Sequence, residues 1–300
     1  MAALSSISTD PLGQLEDRNE KLSQKARQGW KRFANNRAAA IGVGVIVALT
    51  LIAVIGPLVA PFDPLRVSST RLSAPSTTHI MGTDDLGRDI FSGVLHGARP
   101  TLLIGLSVAL ISSVIGTLIG ALAGYYGGAA DSWLMRTTEL FQVLPSFLLA
   151  LAIIAITGPG LSKIVIVLSF LSWPPTARLV RVQYLSFREK EFVEAARTIG
   201  QSDRVIIIRH ILPNAMPPAI VVGSLVVAQA ILSAAGLSFL GLGDPNTIDW
   251  GEQLNQAQRF MTKAWWLSAF PGFAIFLTVM AFNLVGDGVN DALNPRLRDR

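Results

Sequence analysis

Apolar runs of about 20 residues, the length a helix needs to cross the hydrocarbon core of a bilayer, recur along this chain and leave few other folds open to it. Six runs can be placed, from about Ala38 to Ala60, Thr101 to Gly124, Leu140 to Thr157, Leu161 to Leu179, Met216 to Leu240 and Trp265 to Val285. The fourth is interrupted by Pro174-Pro175. Proline removes backbone hydrogen bonds that lipid cannot replace, so this run is expected to lie against neighbouring helices. Only 15% of the 300 residues are charged, against roughly 25% in a soluble domain. The fold expected is all-α, an integral membrane protein with six transmembrane helices. The first run starts too deep and is too long for a secretory signal, and no small-x-small site follows it, so it reads as an uncleaved anchor.

The basic residues orient the chain. With the N-terminus inside, 18 of the 25 lysines and arginines fall in inside segments and 7 outside, the bias expected when both termini are cytoplasmic. The tail "KLSQKARQGWKRFANNR" then lies at the membrane surface beside anionic headgroups, with Trp30 and Phe33 at the interface. This accounts for the net charge of +5 without nucleic acid. The chain has no cysteine, which excludes disulfides and thiolate metal sites. The division expected is a basic cytoplasmic tail (1–37), a first transmembrane helix (38–60), an extracytoplasmic loop (61–100), a core of five transmembrane helices (101–286) and a cytoplasmic C-terminal tail (287–300). Within that core, residues 181–214 form a cytoplasmic loop.

That loop contains "EFVEAARTIGQSDRVIIIRHILPN" (191–214), a charged block between apolar runs. Leu185, Phe192, Ala196 and Ile199 recur at helical spacing and predict an apolar stripe. Glu194 and Arg197 are spaced to pair on the helix surface. Gly200 is placed to stop the helix, because glycine tolerates the left-handed conformation there. Ser202 or Asp203 is placed to cap a second helix, "RVIIIRHIL", which Pro213 is expected to end. The small residues Ala195 and Ala196 would let another protein approach closely.

The pattern Glu194-Ala195-Ala196, Gly200 and Leu212-Pro213 resembles the coupling loop of ABC importer permeases. His210 departs from it, standing where an aliphatic residue is preferred. The resemblance covers most of the chain. "HIMGTDDLGRDIFSGVLHGARPTLLIGL" (79–106), "AGYYGG" with "DSWLMRTTELFQVLPSFLLAL" (131–151), "LSFLGLG" (237–243), "DWGEQL" (249–254) and "FPGFAIFLTVMAFNLVGDGVNDALNPRLR" (270–298) resemble, in order, segments of dipeptide/oligopeptide-type permeases. The match is to the second-permease type with an N-terminal cytoplasmic tail, in a family that also carries glutathione, nickel chelates, opines and oligosaccharides. The resemblance implies a MetI-like type I importer fold in the bacterial cytoplasmic (inner) membrane, paired with a homologous second permease. It also implies two ATPase subunits that bind the ATP and magnesium, and an extracytoplasmic solute-binding protein. Glu194, Ala195, Ala196, Arg197, Gly200 and Pro213 would form the loop that docks the ATPase. Di- and oligopeptides are the substrates expected.

Other features have structural readings beside functional ones. Gly116, Gly120 and Gly124 form a small-xxx-small face, expected to pack within the chain rather than on the second permease. Arg136 and Glu139 are expected to pair at the membrane surface. "DDLGRD" (84–89) lacks calcium-loop spacing and reads as a structural turn. His79, His96 and His210 lack metal-ligand spacing. Asp287 and Asp291 read as caps or salt-bridge partners. Gln229, Ser233 and Gly236 share one face of the fifth run. A glutamine amide facing lipid would be unpaired at a cost of several kcal/mol, so this face is either an interhelical contact or part of the translocation path. No GxxxxGK[ST], HExxH or GxSxG sequence occurs, so nucleotide hydrolysis and the common hydrolase sites are not expected here. A self-contained secondary transporter is the different-class alternative, disfavoured because the runs carry almost no ionisable residues.

Overall fold

The computed structural model describes residues 33–34 and 36–293. Most of the basic tail, Trp30 included, and the last seven residues lie outside them. Helix α1, Arg37–Val59, begins where Asn36 Oδ1 accepts the N–H groups of Ala38 and Ala39, a side-chain cap that satisfies two orphan donors. Helix α2, Ile90–Tyr126, is 37 residues long and starts eleven residues before the second apolar run. Asp89 caps it by accepting from Ser92 N–H at 2.8 Å. The extra turns carry His96, Arg99 and Pro100, which conceal this part of the helix from a hydropathy reading.

The third run does not form one straight helix, contrary to expectation. Helix α3, Gly128–Val143, and helix α4, Ser146–Thr157, meet at an 80° bend. The cause is Pro145, which has no N–H to donate and pushes Leu144 into an extended conformation (ψ 131°). The fourth run keeps its direction through the double proline. Helix α5, Leu161–Ser172, is followed after Trp173 by helix α6, Pro174–Phe187, with both prolines in the first turn, where a missing N–H costs least. The remaining α-helices of eight residues or more are α7, Glu191–Thr198; α8, Leu212–Leu237; α9, Trp250–Ala257; and α10, Trp266–Leu293. Among the described residues five helical stretches are long and apolar enough to cross a membrane, and the bent α3–α4 pair makes a sixth.

Four apolar clusters lie among the described residues, the smallest packing Ile90, Ala257, Trp266 and Leu267 around the starts of α2 and α10. Of the others, one joins α1, α2, α8, α9 and α10 through Leu49, Leu102, Val227, Ile231, Trp250 and Phe282. A second joins α2 to α4, α5 and α8 through Ile104, Val108, Ile154, Ile164 and Leu168. The third, Tyr125, Val180, Tyr184, Val193, Ile206 and Ile211 among others, lies under the loop after α6. The outer rim is also apolar, with Val54, Leu110, Leu118 and Ile156 exposed, as expected of a chain solvated by hydrocarbon. Asn36 Nδ2 donates to Asp291 at 3.2 Å, so the start of α1 and the end of α10 meet. Asp291 is thus a hydrogen-bond partner.

The glycine face packs within the chain. Gly116, Gly120 and Gly124 lie directly on the α6 backbone: a Cβ would come within 2.7 Å of the Trp173 carbonyl at Gly116 and 2.6 Å of the Arg181 carbonyl at Gly124. Asp131 of α3 braces the same seam with a two-pronged ion pair to Arg181, its Oδ2 2.6 Å from Nη2. Arg136 and Glu139, expected to pair, are both exposed with no ion pair between them. Solvated side chains lose little by staying apart.

At the other end of the bundle, "DDLGRD" is a structural turn. Asp84 accepts from the N–H groups of Leu86 and Arg88 and from Arg88 Nε, while Asp89 accepts from Ser92 and lies 2.9 Å from His79 Nδ1. Asp249 caps α9 and accepts from Ser238 Oγ at 2.9 Å; burial pushes its carboxyl above the ordinary range.

Candidate functional site

The segment after α6 consists of two pieces folded about one tight turn. In α7, Val193 and Ala196 are buried, and Glu194, Ala195, Arg197, Thr198 and, just past its end, Ile199 are exposed. The expected stripe is therefore displaced. Val193 takes the buried place, Phe192 is half-buried, and Ile199 is 73% exposed. The helix is too short to carry the stripe further, because Ile199 already has ψ near 6° and leaves the helical path. Gly200 follows with φ +80° and nothing within 4 Å of where a Cβ would stand. Its N–H bonds the Arg197 carbonyl at 2.9 Å and the Gln201 N–H bonds the Ala196 carbonyl at 3.1 Å, the paired closure of a glycine-terminated helix. His210 Nε2 lies 2.7 Å from Gln201 Oε1. This polar contact fastens the turn at the position where the permease pattern prefers an aliphatic side chain.

Three expectations about this loop are corrected. No ion pair joins Glu194 and Arg197. The Arg197 guanidinium lies 5.5 Å over the ring of Tyr125, where an aromatic face attracts it more than a solvated carboxylate. Ser202 stands at the N-cap position, as expected, but makes no side-chain cap bond, and Asp203 Oδ1 accepts instead from the Tyr125 hydroxyl at 2.6 Å. Pro213 does not end a helix. Asp203–Val205, a π-helical turn at Ile206–Ile211 and α8 run on as one stretch to Leu242. In it Pro213 sits in the first turn of α8, where the missing N–H is tolerated. Tyr184, fully buried in α6, donates to the Ile207 carbonyl inside the π turn at 3.2 Å.

On α8, Gln229 is exposed and makes no hydrogen bond among the described residues, while Ser233 and Gly236 are half-buried. A Cβ at Gly236 would stand 3.1 Å from the Phe147 ring. The interhelical bond that would have made Gln229 a packing residue is therefore not formed among the described residues. Gly236 also borders an apolar groove with Leu232, Phe239, Phe276 and Val279. Sequence reasoning missed Tyr125, Asp131, Arg181 and Tyr184. The available signal was the Tyr-Tyr pair ending a glycine-spaced span, since aromatics mark membrane interfaces; their partners lie too far along the chain for spacing to find.

Residues 116–299 match the family described as binding-protein-dependent transport system inner membrane component. Residues 25–75 match the N-terminal TM domain of oligopeptide transport permease C. The dipeptide transport system permease protein DppC of Alkalihalophilus pseudofirmus is 40% identical over 274 residues, 91% of this chain and 90% of that one. The glutathione transport system permease protein GsiD of Pectobacterium atrosepticum is 40% identical over 284 residues, 94% of each chain. A solved structure of the MetNI methionine ABC transporter, in inward-facing conformations, shares the fold with a TM-score of 0.56 at 19% identity, covering 67% of this chain and 97% of that one. The chain belongs to the inner membrane components of binding-protein-dependent transport systems, the permeases of ABC importers.

Proposed function

We propose that this permease takes short peptides, glutathione included, across the inner membrane. It works beside a homologous second permease, two ATPase subunits and a solute-binding protein. ATP and magnesium are held by the ATPases. Both termini and the loop at 191–214 face the cytoplasm, where the loop seats on an ATPase. The observation that carries this reading is the outer face of α7 and its end: Glu194, Ala195, Arg197 and Thr198, with Ile199 just past the helix, stand exposed, backed by buried Val193 and Ala196. An exposed isoleucine and an alanine at the end of a firmly backed short helix suit a protein partner better than water. The charge bias supports the orientation, and relatives named for dipeptide and glutathione transport at equal identity support the substrate class.

Gln229, Ser233 and Gly236 line the translocation path toward the second permease. An exposed amide on a helix otherwise bordered by valine, isoleucine and leucine needs water or a partner chain beside it. In binding-protein-dependent peptide uptake by proteoliposomes, Gln229→Leu is expected to leave assembly and ATPase coupling intact. It should change the uptake rate or the peptide preference several-fold. Reduced yield or a lower melting temperature with normal uptake per assembled complex would instead make Gln229 a packing residue.

A further inference from the structure

Tyr125 occupies an unusual position. It is the last residue but one of α2, its ring is buried, and it is held from both sides of the Gly200 turn. Before the turn, the Arg197 guanidinium lies over its face at 5.5 Å. After the turn, Asp203 Oδ1 accepts its hydroxyl at 2.6 Å. The α2 end that carries it is fused to α6 by the glycine seam, where Gly124 abuts the Arg181 carbonyl and Tyr184 Cβ, both at 2.6 Å from an added Cβ. Tyr184, on that same α6, holds the π turn through the Ile207 carbonyl. Thus one body, α2 with α6, grips the loop by two tyrosine hydroxyls. The loop's outer residues and the space around Gly200 are open.

Apolar packing resists separation but permits sliding. A short hydrogen bond to a carboxylate, with a cation on the same ring, fixes both direction and register. We propose that Tyr125 is a positioning residue through which displacement of the docked loop is passed to the α2–α6 pair. This inference rests on the reading of α7 as the ATPase-docking face. Without the hydroxyl, the loop would still dock and the ATPases would still turn over, but less of the motion would reach the membrane helices.

The test uses the assembled importer in proteoliposomes and reads tri-alanine taken up per ATP hydrolysed. Tyr125→Phe keeps the ring beneath Arg197 and deletes only the hydroxyl. It is expected to lower that ratio at least five-fold, with hydrolysis and ATPase co-purification retained. Asp203→Leu should do the same, and the double variant should be no worse than either single one. Asp203→Asn keeps an acceptor oxygen and should recover most of the ratio. An unchanged ratio in Tyr125→Phe would overturn the proposal. So would a parallel fall in uptake, hydrolysis and melting temperature, the mark of a purely structural role. Failure of the docking reading would look different: the combined Ala195→Trp and Ile199→Asp variant would co-purify with ATPase as well as the wild type does.

Discussion

Gly120→Leu is expected to abolish recovery of folded permease, while Gly44→Ala leaves yield and melting temperature unchanged. Both are glycines in membrane helices, and their surroundings differ. Nothing stands within 4 Å of a Cβ at Gly44. A Cβ at Gly120 overlaps the Ala177 carbonyl oxygen and lies 2.9 Å from Val180 Cβ and 3.0 Å from the Arg181 N–H nitrogen. Two of these three obstacles are backbone, so no change of rotamer relieves them. Overpacking costs about 1–3 kcal/mol where side chains can shift, and a rigid backbone wall puts this site at the top of that range or above it. Total stabilities are only about 5–15 kcal/mol. The seam also joins the helix that bears Tyr125 to the helix that bears Tyr184, so its failure would release the loop as well. Size-exclusion profiles and thermal unfolding in detergent measure the outcome; a normal profile for Gly120→Leu would mean the two helices do not approach this closely.

Gly200→Val is expected to assemble normally but to bind ATPase about ten-fold more weakly, with uptake falling in step. The open space around Gly200 excludes a steric clash, so the effect is one of backbone conformation alone. At φ +80° a β-branched residue pays on the order of 1–2 kcal/mol, and about 1.4 kcal/mol is ten-fold in an equilibrium constant. The valine chain would relax toward a turn that no longer presents Ala195 and Ile199 together. Gly200→Asn, tolerant of the left-handed region, should retain most binding. Normal uptake in Gly200→Val would take this loop out of the mechanism.

What could be read from the sequence follows a physical division. Long apolar runs and the left-handed glycine are local signals: α1 and the Gly200 turn stand close to where they were expected, and α10 starts where expected but runs on to Leu293, into the stretch expected to be the C-terminal tail. The α3–α4 bend was signalled by Pro145, but the apolar stretch on its C-terminal side concealed a 12-residue helix too short to span by itself. Pro213 misled in the opposite sense: a proline in the first turn of a helix reads from sequence like one that ends a helix. The pairing of Glu194 with Arg197 obeyed helical spacing and lost to a ring on another helix. Tyr125 and Asp203 are 78 positions apart, and no periodicity links residues that only tertiary packing brings together.

Contact between the outer face of α7 and an ATPase, as proposed, can be trapped covalently. The chain has no cysteine, so Ile199→Cys supplies its only thiol, 73% exposed in the parent residue. Short-span thiol-to-amine cross-linking in the assembled importer is expected to join this position to an ATPase subunit, while Thr247→Cys, placed past the far end of α8, gives no such adduct. An ATPase adduct from position 247, or none from position 199, would contradict the account.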